Sequence, residues 1–423
     1  MRKLALALLA LGALGAEAAV TVTVTQVRQR FPWNGCVDVD YVIAGYPASG
    51  AGSEPSDYTL GLCFKATIDG VERVIVPTNF VSHAVCDLPT GVGTNRATWN
   101  AIADGWRFKA DDLSAAATLT YAPVTEDEAD VMIVDISGGP SAAHYPVRLV
   151  KGFTNRLSAF NIRPYKTTRL VFRKVRKGDY WVGHCNTETT AVGASVSNRH
   201  CVRLTKDYYL ALFETTIAQA KLLIGPNATY WYAASTDKFE LLPIRQISIT
   251  PSHEVTAATG IVNLNDKARL HGSPVVGFGL PTEAQWEIAC RAGVATRCMW
   301  GDNWNETAAH AYANCYGIAG LVEVGRYAPN DWGFYDMIGN VSEFTGDHGK
   351  SSGTYDLGGA AGTAEDPVVN PSGDDTKDWY YTRGGYASSP SWQDFAPGYR
   401  QFACCYANGV STVGFRLCRV VGE

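Results

Sequence analysis

The stretch Gly325 to Asp347 reads GRYAPNDWGFYDMIGNVSEFTGD. Within it, Asn330-Asp331-Trp332-Gly333 is a turn signal, because a glycine at the fourth position accepts a positive φ. Asp336, Gly339, Asn340 and Glu343 then crowd hard oxygen donors into a short span. Carbonyls from a tight glycine turn, together with two carboxylates, are the donor set that calcium prefers. The same groups can instead brace a turn by hydrogen bonds alone.

Outward from this stretch, the C-terminal half has one strong helix signal. In LPTEAQWEIACRAG, Leu280 to Gly293, a proline and a capping-type threonine precede acids in the first turn. A second helix is expected over Glu214 to Gly225, and most of the remainder is loop, glycine and aromatic residues. Further on come RGGYASSPSWQDFAPGYR, Arg383 to Arg400, and VGFRLCR, Val413 to Arg419. Upstream lie FRKVRKGDYWVG, Phe172 to Gly183, and RLTKDYYLALFETT, Arg203 to Thr216.

Taken together and in this order, these segments resemble the formylglycine-generating enzyme (sulfatase-modifying factor) family over residues 166–423. The resemblance implies an irregular α+β domain related to C-type lectins. It implies calcium held by Asp336, Gly339, Val341 and Glu343, with backbone oxygens from Gly339 and Val341. A second calcium site would begin at Asn314, but its acidic partner has no clear match. Ser342 and Phe344 stand where the family usually has tryptophans. In catalytic members two cysteines five residues apart bind copper and oxidise a substrate cysteine to formylglycine. Ser389 and Asp394 stand at those two positions when no gap is allowed. A hydroxyl and a carboxylate cannot replace thiolates at copper(I). The nearest thiols, Cys404 and Cys405, are adjacent in sequence and cannot present the same pair geometry.

The expectation is therefore a catalytically degenerate member that binds a ligand, carbohydrate or protein. Tyr386 to Thr412 is rich in Tyr, Ser, Trp, Phe, Asn and Gly, the palette of adaptable binding loops. Tyr386, Ser388, Ser389, Trp392, Gln393, Tyr399 and Tyr406 would form the surface, and some lectin-like proteins of the wider fold vary their ligand surface in this region. Arg383, Arg400 and Arg416 are assigned structural roles, paired with carboxylates or carbonyls. The alternative is an active oxidase of the family's class, with copper on non-standard ligands such as Cys404 or Cys405.

The N-terminal part reads differently. From Val20 to about Asp135 short β-type runs alternate with turn clusters, and Val37-Asp38-Val39-Asp40-Tyr41-Val42 alternates apolar with polar, the pattern of a half-buried strand. The expected fold class is thus two-domain: an all-β, immunoglobulin- or fibronectin-like sandwich over 20–135, a connector over 136–165, and the α+β domain over 166–423. Residues 1–18 read as a signal peptide. Arg2 and Lys3 precede the apolar run Leu4 to Leu14, and Ala16-Glu17-Ala18 offers a small-x-small cleavage site. The run is too short to span a bilayer. The expected location is secreted, periplasmic or cell-surface, with no membrane span.

Composition supports a packed protein rather than a disordered one, with hydrophobics at 46% and aromatics at 11%. A formal net charge of −5, from 36 basic and 41 acidic residues, offers no electrostatic footprint for nucleic acid. Export would permit disulfides among the 11 cysteines. Cys185 with Cys201 and Cys290 with Cys298 are local candidates. There is no CxxC, GxSxG, P-loop or GxGxxG. His253-Glu254 begins a metalloprotease-like pattern, but Ala257 stands where the second histidine would be.

Overall fold

The computed structural model describes residues 20–32, 34–44, 58–82, 94–121, 123–151, 160–183, 199–225, 239–246, 257–296, 298–302, 305–318, 320–348, 362–372, 379–404 and 411–422. The leader-like segment 1–18, Cys185, Cys405 and Tyr406 lie outside them, as does the side chain of Cys404. The chain divides into two compact units, Met1–Pro123 and Val124–Glu423.

The first unit contains β1 (Thr21–Gln29), β2 (Cys36–Ala44), β3 (Tyr58–Ile68), β4 (Val71–Ile75), β5 (Phe80–Ser82), β6 (Thr94–Asn100) and β7 (Ser114–Tyr121). They form two sheets, ordered β1-β2-β6-β5 and β4-β3-β7, with every pairing antiparallel. One core joins them. Val37, Val39, Tyr41 and Ile43 of β2 meet Leu60, Leu62, Phe64 and Ala66 of β3, and Phe64 stacks on Trp99 at 4.7 Å. The period-two reading of β2 thus holds for its apolar residues. Asp38 and Asp40, on the opposite face, are buried too, because Arg30 and Arg96 fold over them with contacts of 2.9 and 2.6 Å.

The second unit begins earlier than the sequence pattern indicates. Residues 131–135, assigned above to the sandwich, form β8 (Val131–Asp135), and β9 (Tyr145–Val150) lies inside the expected connector. Both belong to an eight-stranded sheet of the second unit. The reason is burial on both faces. Val131 and Ile133 enter one core while Met132 and Val134 enter another. A run apolar on both sides suits the interior of a covered sheet rather than a half-exposed sandwich strand.

The chain continues through β10 (Arg169–Val175), β11 (Gly178–Val182), β12 (His200–Leu204) and β13 (Tyr208–Ala211), then α1 (Ile217–Leu223) and α2 (Ala257–Lys267). Next come β14 (Ala268–Leu270), β15 (Ser273–Pro274), β16 (Phe278–Gly279), α3 (Glu283–Arg291) and α4 (Glu306–Tyr312). The last strands are β17 (Ser342–His348), β18 (Val368–Val369), β19 (Trp379–Arg383), β20 (Gln401–Cys404), β21 (Val413–Phe415) and β22 (Cys418–Val420). The large sheet has the order β15-β14-β9-β8-β10-β13-β22-β16, and two smaller sheets run β11-β12-β18 and β20-β19-β17-β21.

Both expected helices form. Each is opened by a capping box: Thr216 with Gln219 for α1, Thr282 with Gln285 for α3. The first is shorter than the expected range because Thr216 caps it. No described helix is long and apolar enough to cross a membrane. Cys201 and Cys290 are free thiols, so neither local bridge considered for them is formed.

Candidate functional site

The segment Arg383 to Arg400 leaves β19, turns through two glycines, passes the short 3-10 turn Trp392–Phe395 and returns into β20. The glycine pair is required. Gly385 sits at φ 67°, and a Cβ there would lie 2.8 Å from the Asp394 carbonyl oxygen. Ser391 caps the 3-10 turn by accepting from the Gln393 amide.

A chain of buried charges underlies this segment. Glu283, Glu287 and Arg291 recur at i, i+4 along α3 and so share one helix face. Arg291 Nε contacts Glu287 at 2.8 Å, Arg383 reaches Glu287 at 3.3 Å and Glu283 at 2.7 Å, and Arg400 contacts Glu283 at 3.0 Å. Arg383 also donates to the Pro397 carbonyl at 2.6 Å. Burial alone would raise the Glu287 carboxyl. The guanidinium groups of Arg291 and Arg383 outweigh it and hold the group below the usual carboxylate range. The structural roles assigned to Arg383 and Arg400 are those seen. The acidic members of the chain were read from sequence only as first-turn charges; their i, i+4 spacing was the available signal.

A second charged cluster holds the Gly325–Asp347 stretch. Glu343 accepts from Arg416 Nη2 at 2.7 Å, from Arg416 Nε at 3.0 and 3.1 Å, and from Trp286 Nε1 at 2.7 Å. Arg416 also donates through Nη1 to the Ala211 carbonyl and through Nη2 to the Tyr335 carbonyl. Glu214, which sequence reading took only as a helix start, accepts from Asn340 Nδ2 at 2.7 Å and the Val341 amide at 3.1 Å. Burial, then the neighbouring Asp336 and Glu343, push its pKa well above the ordinary value. Asp336 accepts from the Gly325 amide at 2.5 Å, and burial pushes its carboxyl up to about 6. Gly339 packs so closely that a Cβ would lie 2.3 Å from the Asn314 carbonyl oxygen.

These bonds decide how the expected calcium ligands stand. Asp336 and Glu343 lie close enough for their charges to interact, yet both Glu343 oxygens are already taken by charged or indole donors. A calcium ion would have to displace Arg416 from Glu343, so the set as arranged does not fit one. Among the described residues no group of three or more His, Cys, Asp or Glu converges as a metal site. Cys290 and Cys315 are buried, and burial pushes each thiol up to about 12, while that of Cys201 is also raised. Such buried thiols are poor nucleophiles.

The two positions that the resemblance assigns to the cysteine pair are in contact. Ser389 is completely buried and its hydroxyl donates to Asp394 Oδ2. Burial raises the Asp394 carboxyl, with a Gln401 hydrogen bond pulling the other way. Ser389 therefore lies beneath the surface on which the sequence reading placed it. Ser388 is exposed, and Tyr386, Trp392, Gln393 and Tyr399 are half-buried. Trp392 stacks on Tyr316, ring centroids 3.6 Å apart and 15° from parallel, a contact no sequence pattern announced. Five of the seven expected surface residues thus keep some exposure, Ser389 does not, and Tyr406 is outside the described residues.

A capped helix buried along its length, a glycine-pinned loop and an Arg–Glu scaffold in a mostly β unit define an irregular α+β domain. The family model for the sulfatase-modifying factor enzyme 1-like domain matches residues 156–421, and the chain belongs to this family. Formylglycine-generating enzyme of Thermomonospora curvata is 28% identical over 222 residues, covering 49% of this chain and 64% of that one. The mouse formylglycine-generating enzyme is 37% identical over 84 residues, 17% of this chain and 22% of its own length. The matched stretches thus span between about a fifth and two thirds of these relatives. Among solved structures, Treponema denticola variable protein 1 aligns over 60% of this chain and 95% of its own at a TM-score of 0.45, with 20% identity.

Proposed function

We propose that this is an exported, catalytically degenerate member of the sulfatase-modifying factor family that acts as a ligand-binding module. Its second unit would have the C-type-lectin-like fold, and its first the immunoglobulin type of sandwich. The strand orders β1-β2-β6-β5 and β4-β3-β7 support the latter, since they follow A-B-E-D and C′-C-F. The ligand surface comprises Tyr386, Ser388, Trp392, Gln393 and Tyr399, rigidified from below by Ser389 and Asp394.

One observation carries the reading. The groups at the expected copper positions are a hydroxyl and a carboxylate bonded to each other in the interior, which satisfies them without a metal. Support comes from geometry as well: Cys201, Cys290 and Cys315 are buried, and among the described residues no three His, Cys, Asp or Glu converge as a metal site. Where the family resemblance puts calcium, Arg416 compensates the Glu343 charge.

The test uses the purified full chain with copper, oxygen, a thiol reductant and a peptide carrying a C-x-P-x-R sequence. The expected result is unchanged peptide by mass spectrometry, and conversion of its cysteine to an aldehyde overturns the proposal. Calcium is tested separately. The thermal midpoint is expected to be the same in excess calcium and in chelator, whereas a rise in calcium would show that the ion displaces Arg416.

A further inference from the structure

A cavity of about 230 Å³ lies between β11 and the end of α3. It is smaller than the roughly 300–1,000 Å³ of pockets for drug-sized molecules, so it suits a single ring. Val182 and Ile288, both buried, give it an apolar floor, with Val294 beside them. Trp181 forms a wall and is 47% exposed, which is unusual for so large an indole in a folded unit.

Charges are placed around this wall. The Arg199 guanidinium lies over the Trp181 ring, 5.3 Å from its centroid, and has no carboxylate partner among the described residues. Asp179 stands on the same rim, held by a two-pronged contact with Arg203 at 2.6 and 2.7 Å. Arg203 offsets its charge and fixes its position, while its oxygens keep lone pairs for further donors. At the inner end Arg291 is locked to Glu287 and to the Gly183 carbonyl.

We propose that this cavity binds an acidic monosaccharide unit. The apolar face of the pyranose ring packs against Trp181, its carboxylate pairs with Arg199, and its hydroxyls donate to Asp179. Each recognition element answers one part of such a ligand: an indole for an apolar ring face, a guanidinium for a carboxylate, and an acceptor-only carboxylate for hydroxyls. A simple aromatic acid would satisfy the first two but would leave Asp179 facing carbon. The site shares no residue with the loop surface, so it stands or falls independently of that surface.

The experiment titrates the full chain with glucuronate, glucose and benzoate, followed by calorimetry and ligand-observed NMR. Glucuronate is expected to bind saturably, and glucose and benzoate each at least about tenfold more weakly, the value of one good charged or polar contact. Arg199→Ala and Trp181→Ala are each expected to weaken glucuronate by about tenfold or more. Both side chains are on the surface, and an unchanged thermal midpoint shows that a variant is folded; Arg199→Ala alone suffices if Trp181→Ala is not. Three results would each overturn the proposal: no saturable glucuronate binding, glucuronate binding indifferent to Arg199→Ala, or benzoate binding as tightly as glucuronate.

Discussion

Asp394 shows what a single carboxyl does in this interior. Its folded-state pKa is raised by burial. A raised carboxyl contributes stability that is fully present below the unfolded value of about 3.9 and is lost as pH rises through the folded value. Asp394→Asn keeps an oxygen to accept the Ser389 hydroxyl and removes the titration. The variant is therefore expected to gain stability relative to the parent as pH rises from acid toward neutrality, read as the difference in urea midpoints. An unchanged difference across that range would mean that Asp394 does not titrate in the fold. Arg416 is the opposite case, because its removal leaves Glu343 buried beside Glu214 and Asp336. Arg416→Met is expected to cost about 3–5 kcal/mol, the usual penalty for orphaning a buried charge. The double variant with Glu343→Gln should recover part of that loss in denaturant unfolding.

At the scale of the element, α3 does the most positioning. All nine of its residues, Glu283 to Arg291, are buried, and it presents Glu283 and Glu287 to Arg383, Arg291 toward Gly183, and Trp286 to Glu343. Its N-terminus is held by Thr282, whose hydroxyl accepts from the Gln285 amide while the Gln285 side chain accepts from the Thr282 amide. Thr282→Ala is expected to cost about 1 kcal/mol, within the range for lost caps, and circular dichroism with denaturant measures it. This helix was legible in the sequence, because capping chemistry is local. Helix α2 was not legible: Ala257–Lys267 carries glycine and two asparagines and is held by tertiary contacts such as the Asn263 side chain to the Leu223 carbonyl at 2.7 Å.

For the whole molecule, the informative feature is where one unit gives way to the other. The first unit has its own core around Phe64 and Trp99, and the second has two, on opposite faces of its largest sheet. A chain starting at Val124 is expected to unfold cooperatively on its own. A chain starting at residue 166, the boundary read from composition, loses β8 and β9 and leaves an edge of β10 open to aggregation. Size-exclusion chromatography and thermal unfolding of the two fragments distinguish these outcomes. Equal behaviour of both would place the boundary where the pattern suggested.

Local chemistry made several things readable without a structure: the capping threonine of α3, the alternating face of β2, the glycine turn before Tyr386 and the ordered segments that carry the family resemblance. Each depends on residues close in sequence. Other features rest on groups far apart in the chain and have no local signature. Arg383 meets Glu283 across 100 positions and Asn340 meets Glu214 across 126. Whether Ser389 faced solvent or Asp394, and whether Glu343 was free for a cation or bound by Arg416, was decided only when the sheets brought those side chains together. Burial and charge pairing are properties of three-dimensional neighbours, and a linear pattern cannot specify which neighbours those are.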